Sequence, residues 1–208
     1  QYPFGKLLCL KLTACGKNAQ GLLKEQAEGQ ISYVRRPDEA LLKVELNDGY
    51  SLEIRPNVHS YYNAVVHIGD IDFIITTLWA RIPLKEAYYT EQVVSDFRRI
   101  IFNGDILTFA DFNREHEKSL AFLKNAVSSS KARIKIVVTH HVPSFQMQCP
   151  KFADSQANGA FTVELEDYIK DSCIDYWIYG HSHYNVDVEI GNTKCVSNQL
   201  GYVFHGEH

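Results

Sequence analysis

Histidines follow two apolar segments of this chain, and this repeated pattern is its most informative chemical feature. Residues 174–179 (IDYWIY) lead into the sequence GHSH, and residues 134–139 (IKIVVT) lead into the sequence HH. β-Branched and aromatic residues favour strands, and open α/β sheets collect functional side chains where their strands end. Because neutral imidazole is the commonest protein ligand for zinc, iron and similar metals, the pattern predicts a metal site at one sheet edge. The histidines concerned are His140, His141, His181 and His183.

Each histidine group also has a purely structural interpretation. An isolated H-x-H occurs in turns, and the adjacent pair His140 and His141 could be one core imidazole and one surface imidazole. Gly180 favours the metal interpretation, since glycine lets the backbone turn with a positive φ directly before His181. His181 and His183 could then leave an irregular loop toward one point, which the alternation of a regular strand would prevent.

Several motifs occur in an order that resembles a known family of enzymes. Residues 137–144 (VVTHHVPS), 177–183 (WIYGHSH) and 197–202 (SNQLGY) are similar to motifs of the calcineurin-like metallophosphoesterases. Residues 77–79 (TLW) and 96–98 (DFR) resemble motifs of the small bacterial branch of that family. The resemblance runs from about residue 46 to the C-terminus. It implies an α/β fold, a calcineurin-like sheet sandwich flanked by helices, with the first strands missing or replaced.

The resemblance also implies roles for individual histidines. His140 and His181 would bind one metal position, and His183 would bind the other. From its position beside His140, His141 could contact the phosphate of the substrate or hold a supporting hydrogen bond, and a simple structural role has at least equal weight. The implied cofactor is divalent Mn, Zn or Fe, as one ion or two. Because only His140, His181 and His183 are identifiable as ligands, a single ion is favoured, and three imidazoles with an open water position would still form a hydrolytic site.

The N-terminal segment departs from the family. Members begin with Asp-x-His, Gly-Asp and Gly-Asn-His motifs, which supply carboxylate ligands and the general acid. Residues 1–45 contain none of these motifs and no histidine, and their single aspartate is Asp38. A divergent start, a truncated or frameshifted reading frame, and a partner that supplies the missing half remain open. A sheet that lost its first strands would expose an edge, so we expect a homo-oligomer or a repaired edge.

The pair Gly69 and Asp70 resembles the second family motif but has a different predicted role. Apolar runs flank it on both sides, as in a β-hairpin with a tight turn. We therefore expect Asp70 to lie in a hairpin turn, away from the histidines.

Composition bounds the remaining possibilities. The chain has 208 residues, 45% of them hydrophobic, which suits one domain spanning residues 1–208. Its net charge of -4 gives no basic footprint for nucleic acid or for a membrane surface. The five scattered cysteines indicate reduced thiols and a cytoplasmic protein.

Periodicity places helices between the strands. A helical pattern covers residues 84–102, and Thr108 and Asp111 form a capping-box pattern that opens a second helix. His116 lies on the apolar stripe of that second helix and is interpreted as a core or helix-edge histidine. A third helix is predicted over residues 161–170, and a hairpin over residues 186–197.

The sequence thus predicts a metal-dependent phosphoester hydrolase, a phosphatase or phosphodiesterase, impaired by the absence of the N-terminal metal motifs. The expected partner is a small-molecule phosphoester. The alternative is a degenerate, non-catalytic phosphoesterase fold that acts as a metal-binding or interaction module. Carboxylates distinguish the two, and the candidates near the motifs are Asp70, Asp72 and Asp96.

Overall fold

The computed structural model describes residues 42–55 and 58–202. The expectations for residues 1–41 lie outside this range and stay predictions. The described residues form a mixed sheet with helices packed on it, which confirms the α/β class.

Nine strands and four α-helices are present in this part of the chain. The strands are β1 Leu42–Arg55, β2 Val58–Ile68, β3 Ile71–Thr76, β4 Ile101–Phe102, β5 Asp105–Ile106, β6 Ile134–Thr139, β7 Tyr176–Ile178, β8 Val188–Ile190 and β9 Thr193–Val196. The helices are α1 Leu84–Val93, α2 Asp96–Arg99, α3 Phe109–Ser129 and α4 Glu166–Asp171.

Seven of these strands form one sheet in the order β1-β2-β3-β6-β7-β9-β8, and β4 pairs with β5 alone. The pairs β3–β6, β6–β7 and β7–β9 are parallel, whereas β1–β2, β2–β3 and β8–β9 are antiparallel. The carboxyl ends of β3, β6, β7 and β9 therefore meet at one edge of the sheet. The predicted hairpin after the GHSH sequence is confirmed as β8–β9.

Alternation along the central strands produces two apolar faces. Ile74, Val137 and Trp177 are fully buried on the face that packs against Phe112 and Leu123 of α3. Burying one such side chain contributes about 1.5–3 kcal/mol. A smaller cluster on the other face contains the alternate residues Val66, Ile75 and Val138. The larger core thus supports the strand ends from the helical side.

Helix α3 begins as the sequence predicts. The Thr108 hydroxyl accepts a hydrogen bond from the backbone N–H of Asp111, and the Asp111 carboxylate accepts one from the N–H of Thr108. His116 is buried within this helix, which confirms its predicted core position. The capping box fixes where the helix starts and so which side chains face the sheet.

The prediction of one continuous helix over residues 84–102 is wrong. α1 ends at Val93 and α2 covers only Asp96–Arg99. Val94 has an extended backbone, with φ of -82° and ψ of 128°. The side chains of Val94 and Phe97 are both buried in the core. The extended Val94 therefore separates two short helices, and its side chain packs in the same core as that of Phe97.

The helix predicted over residues 161–170 begins too early. Val142 donates its N–H to the carbonyl of Phe161, and Val163 donates to the carbonyl of Val142. This pairing holds the chain extended up to Leu165, which donates its N–H to the carbonyl of Pro143. These backbone groups pair with the residues that follow β6, so they do not form the hydrogen bonds of a helix.

Asp70 lies in the turn between β2 and β3, as predicted from the flanking apolar runs. Its exposed carboxylate pairs with Arg133, which lowers the pKa of the Asp70 carboxyl through a side-chain hydrogen bond. β3 runs from Ile71 to Thr76, where Thr76 pairs with Thr139 directly before the histidines. Asp70 is thus at the opposite end of the sheet from His140.

Within the described segments, no helix has the length and apolarity that crossing a bilayer would require.

Candidate functional site

The two histidine groups lie side by side because their strands are parallel neighbours. Val138 of β6 is in register with Ile178 of β7, so both strands end at the same level. Beyond this level, the N–H of Gly180 donates to the carbonyl of His140 at 3.1 Å. The predicted meeting of the two histidine-bearing strand ends is confirmed.

Three imidazoles are in mutual contact at this edge. The ring centroids of His140 and His181 are 4.5 Å apart, those of His141 and His181 also 4.5 Å, and those of His140 and His141 5.2 Å. We call these three residues the histidine cluster. Phe161 stacks on His181, with ring centroids 4.6 Å apart and an interplanar angle of 20°. The cluster thus has an apolar wall.

His141 is the most deeply buried member of the histidine cluster, with 2% of its surface exposed. Its Nδ1 lies 3.2 Å from the carbonyl oxygen of Thr77. Because a carbonyl can only accept, Nδ1 carries the hydrogen and Nε2 of the neutral ring keeps its lone pair. Nε2 is buried and has no hydrogen-bond partner. The lone pair of Nε2 therefore carries no hydrogen bond, while the Thr77 carbonyl fixes the orientation of the ring.

Burial keeps two of these imidazoles neutral. It lowers the pKa of His141 well below the usual histidine value, and repulsion from the adjacent His140 lowers it further. Burial also lowers the pKa of His181 well below the usual value, as do His141 and His140. The carbonyl of Ala160 acts in the opposite direction on both rings. Neutral imidazole is the form that can bind a metal or accept a proton.

The turn after β3 supports His141 from one side. The N–H of His141 donates to the carbonyl of Thr77 at 3.3 Å. The Trp79 ring lies nearly parallel to the His141 ring, with centroids 5.9 Å apart. Leu78 and Trp79 have positive φ values of 66° and 51°, and the His116 Nδ1 lies 3.0 and 3.1 Å from their carbonyls. The TLW sequence therefore shapes the turn that orients His141.

His183 makes different contacts. Its ring packs edge-on against Tyr202, with centroids 4.6 Å apart and an interplanar angle of 82°. Its backbone N–H donates to Oε1 of Gln199 at 2.8 Å. The third ring in contact with His140 and His181 is therefore that of His141, whereas the His183 ring packs against Tyr202. The assignment of His140, His181 and His183 to metal ions, and of His141 to substrate, stays a prediction.

Two of the carboxylate candidates, Asp70 and Asp72, lie at the end of the sheet opposite the histidine cluster. Asp72 accepts hydrogen bonds at the same far end as Asp70, from His67 and Ser130. Asp96 lies in α2, where burial raises the pKa of its carboxyl. Across residues 42–55 and 58–202, no group of three or more His, Cys, Asp or Glu side chains is arranged to hold a metal ion.

Some supporting residues were not identified from the sequence. The carbonyls of Thr77 and Ala160, the ring of Phe161 and the side chain of Gln199 all act on the histidines. Two carry a signal in hindsight, since Thr77 and Gln199 occur within the TLW and SNQLGY sequences. Backbone carbonyls carry no signature of residue type, so Ala160 could not have been found.

Comparison with known proteins leaves the family open. No protein-family model matches this chain. The chain is 28% identical over 158 residues to a protein of Acanthamoeba polyphaga mimivirus, "Uncharacterized protein L509". The match covers 71% of this chain and 56% of the viral protein, so the chain spans about half the length of that relative. The name of the relative states no activity.

Proposed function

We propose that this chain is a metal-dependent phosphoester hydrolase of the calcineurin-like class, to which it contributes the histidine side of the site. The observation that carries the proposal is the histidine cluster itself. Two parallel strands deliver His140, His141 and His181 to one sheet edge with ring centroids 4.5–5.2 Å apart. The order of the sequence motifs supports the choice of phosphoester hydrolysis.

The imidazole nitrogens of the histidine cluster are suitable ligands for a divalent metal, but they are not arranged around one point. The buried, unpartnered Nε2 of His141 and the neutral state of His181 suit ligation of Mn, Zn or Fe. However, the described residues do not themselves close around an ion. The carboxylate ligands that the resemblance implies are not part of the histidine cluster.

The residues of the chain have definable tasks in such a site. The Thr77 carbonyl fixes the tautomer and direction of His141. Trp79 and Phe112 pack against the His141 ring, the second edge-on at 5.6 Å, and exclude water from it. Phe161 does the same for His181. A bound ion would supply polarisation of the phosphoryl oxygens and an activated water.

The alternative function is a metal-binding or interaction module without catalysis. The N-terminal sequence favours it, because residues 1–45 contain none of the motifs that supply the carboxylates of the family. The two functions differ in turnover and agree in metal binding by the histidine cluster. They are therefore separated by measuring both properties on the same preparation.

The test combines metal content with hydrolysis of bis-p-nitrophenyl phosphate and p-nitrophenyl phosphate. The chain is stripped with chelator, loaded with Zn²⁺, Mn²⁺ or Fe²⁺, and compared with His181→Ala. The matched control is His67→Ala, because His67 pairs with Asp72 at the opposite end of the sheet. We expect metal uptake and weak metal-dependent turnover in the wild type and in the control, and loss of both in His181→Ala.

Each other outcome has a defined meaning. Metal uptake that depends on His181 without turnover would support the non-catalytic module. Turnover that survives His181→Ala would refute both the site and the proposed class.

A further inference from the structure

One carboxamide braces the loop that carries His181 and His183. Oε1 of Gln199 accepts a hydrogen bond from the N–H of His183 at 2.8 Å. Nε2 of Gln199 donates to Oγ of Ser182 at 3.2 Å and to the carbonyl of Tyr184 at 3.0 Å. A single side chain thus binds three consecutive residues of the loop.

The loop needs such a brace because its backbone is strained. His181 has a φ of 72° and His183 a φ of 50°, in the left-handed region that residues with a Cβ atom rarely adopt. Two such residues separated by one position persist only where the surroundings hold them. The Gln199 carboxamide bonds to the residue between them, to the second of them and to the residue after it.

Gln199 is itself held in place by Asn185. The N–H of Gln199 donates to Oδ1 of Asn185 at 2.6 Å, and Nδ2 of Asn185 donates to the carbonyl of Gln199 at 3.0 Å. The brace therefore connects the loop after β7 to the segment after β9 by both side chains. Because Asn185 holds the backbone of Gln199, the carboxamide of Gln199 is fixed relative to the loop that it binds.

We propose that Gln199 is the positioning residue of the histidine site, because its carboxamide sets the backbone from which His181 and His183 project. Its relevance to metal binding depends on the proposed function, whereas its hold on the loop does not. The His183 N–H donates to Oε1, so this acceptor is the part of the carboxamide that His183 requires. Gln199→Glu keeps this acceptor, and Gln199→Leu removes it.

The experiment measures amide hydrogen exchange of His183 by NMR in metal-free protein, and the affinity for Zn²⁺ alone by calorimetry. Asn198→Ala is the control, since Asn198 is an exposed amide next to Gln199 in the chain. We expect His183 exchange to rise roughly tenfold in Gln199→Leu, the size of one lost hydrogen bond. Zinc affinity should fall by about the same factor. Asn198→Ala should keep the wild-type exchange. Gln199→Glu keeps the acceptor for His183 but loses the two hydrogen bonds donated by Nε2, so its exchange should lie between those of the wild type and Gln199→Leu.

Unchanged His183 exchange in Gln199→Leu would overturn the proposal. If that variant does not fold, Gln199→Asn replaces it, because its shorter side chain withdraws the acceptor from His183. Wild-type exchange in Gln199→Asn would likewise overturn the proposal. If the wild type binds no zinc, the proposed function fails, and the exchange measurement still decides the role of Gln199.

Discussion

The histidine cluster makes the stability of the metal-free protein depend on pH in a defined direction. Burial lowers the pKa of His141 and of His181 in the folded state, whereas both rings titrate near 6.5 when unfolded. Below that pH the unfolded chain takes up protons that the folded chain does not. The free energy of unfolding should therefore be fully present above pH 6.5 and fall as the pH decreases through 6.5.

The magnitude follows from the two groups. One unit of pH within the titration window changes the free energy of unfolding by about 1.4 kcal/mol for each histidine that stays neutral in the fold. Between pH 7.5 and pH 5.5, His141 and His181 together should remove at most about 3 kcal/mol, the limit for two rings that stay neutral in the fold. That is a large share of the roughly 5–15 kcal/mol that stabilises an ordinary domain.

Urea denaturation in the presence of chelator measures this effect, with tryptophan fluorescence as the signal. Trp79 and Trp177 are both buried, so unfolding exposes them. The variant His141→Leu removes one of the two groups. Below pH 6 its free energy of unfolding should fall less steeply than that of the wild type, by about 1.4 kcal/mol per pH unit.

The pH range from 8 to 9 serves as an internal control, because both rings are then neutral in either state and the two curves should run parallel. Equal slopes for the wild type and His141→Leu below pH 6 would refute the reasoning. They would mean that His141 is protonated as readily in the fold as in the unfolded chain.

Two further predictions concern stability. Phe112→Ala should lower the free energy of unfolding by about 3–5 kcal/mol, because the Phe112 ring is fully buried and packs against Trp79 and His141. Urea denaturation at pH 8 measures it, and a loss below about 1 kcal/mol would contradict the packing. Thr108→Ala should cost about 1 kcal/mol through loss of the capping box. The matched variant Thr108→Ser should retain most of this stability. Equal losses of stability in Thr108→Ala and Thr108→Ser would show that the hydroxyl does not cap α3.

Features controlled by near neighbours were predictable from the sequence. The apolar run before His140 is strand β6, and the capping box at Thr108 does open α3. The turn at Gly69 and Asp70 also forms as predicted. Each depends on the alternation or hydrogen bonding of residues a few positions apart, which a sequence displays directly.

Features controlled by distant pairing were not predictable. The helix expected from residue 161 gives way to backbone pairing with Val142 and Pro143, which are about twenty positions earlier. The helix expected through Val94 ends at Val93, and the extended Val94 packs in the core with Phe97 of the next helix. The periodicity of apolar residues reports only near neighbours in the sequence, so it carries no information about these contacts.

The candidate site shows the same division. The sequence by itself determined that histidines follow two strands, and parallel pairing of β6 with β7 then brings His140 and His181 together. Only the tertiary structure decided which ring is the third in contact. The Thr77 carbonyl, from a turn more than sixty positions earlier, orients His141 toward the pair. The positive φ of His183 and its bond to Gln199 place the His183 ring against Tyr202. These choices depend on backbone groups and torsion angles, which residue types do not reveal.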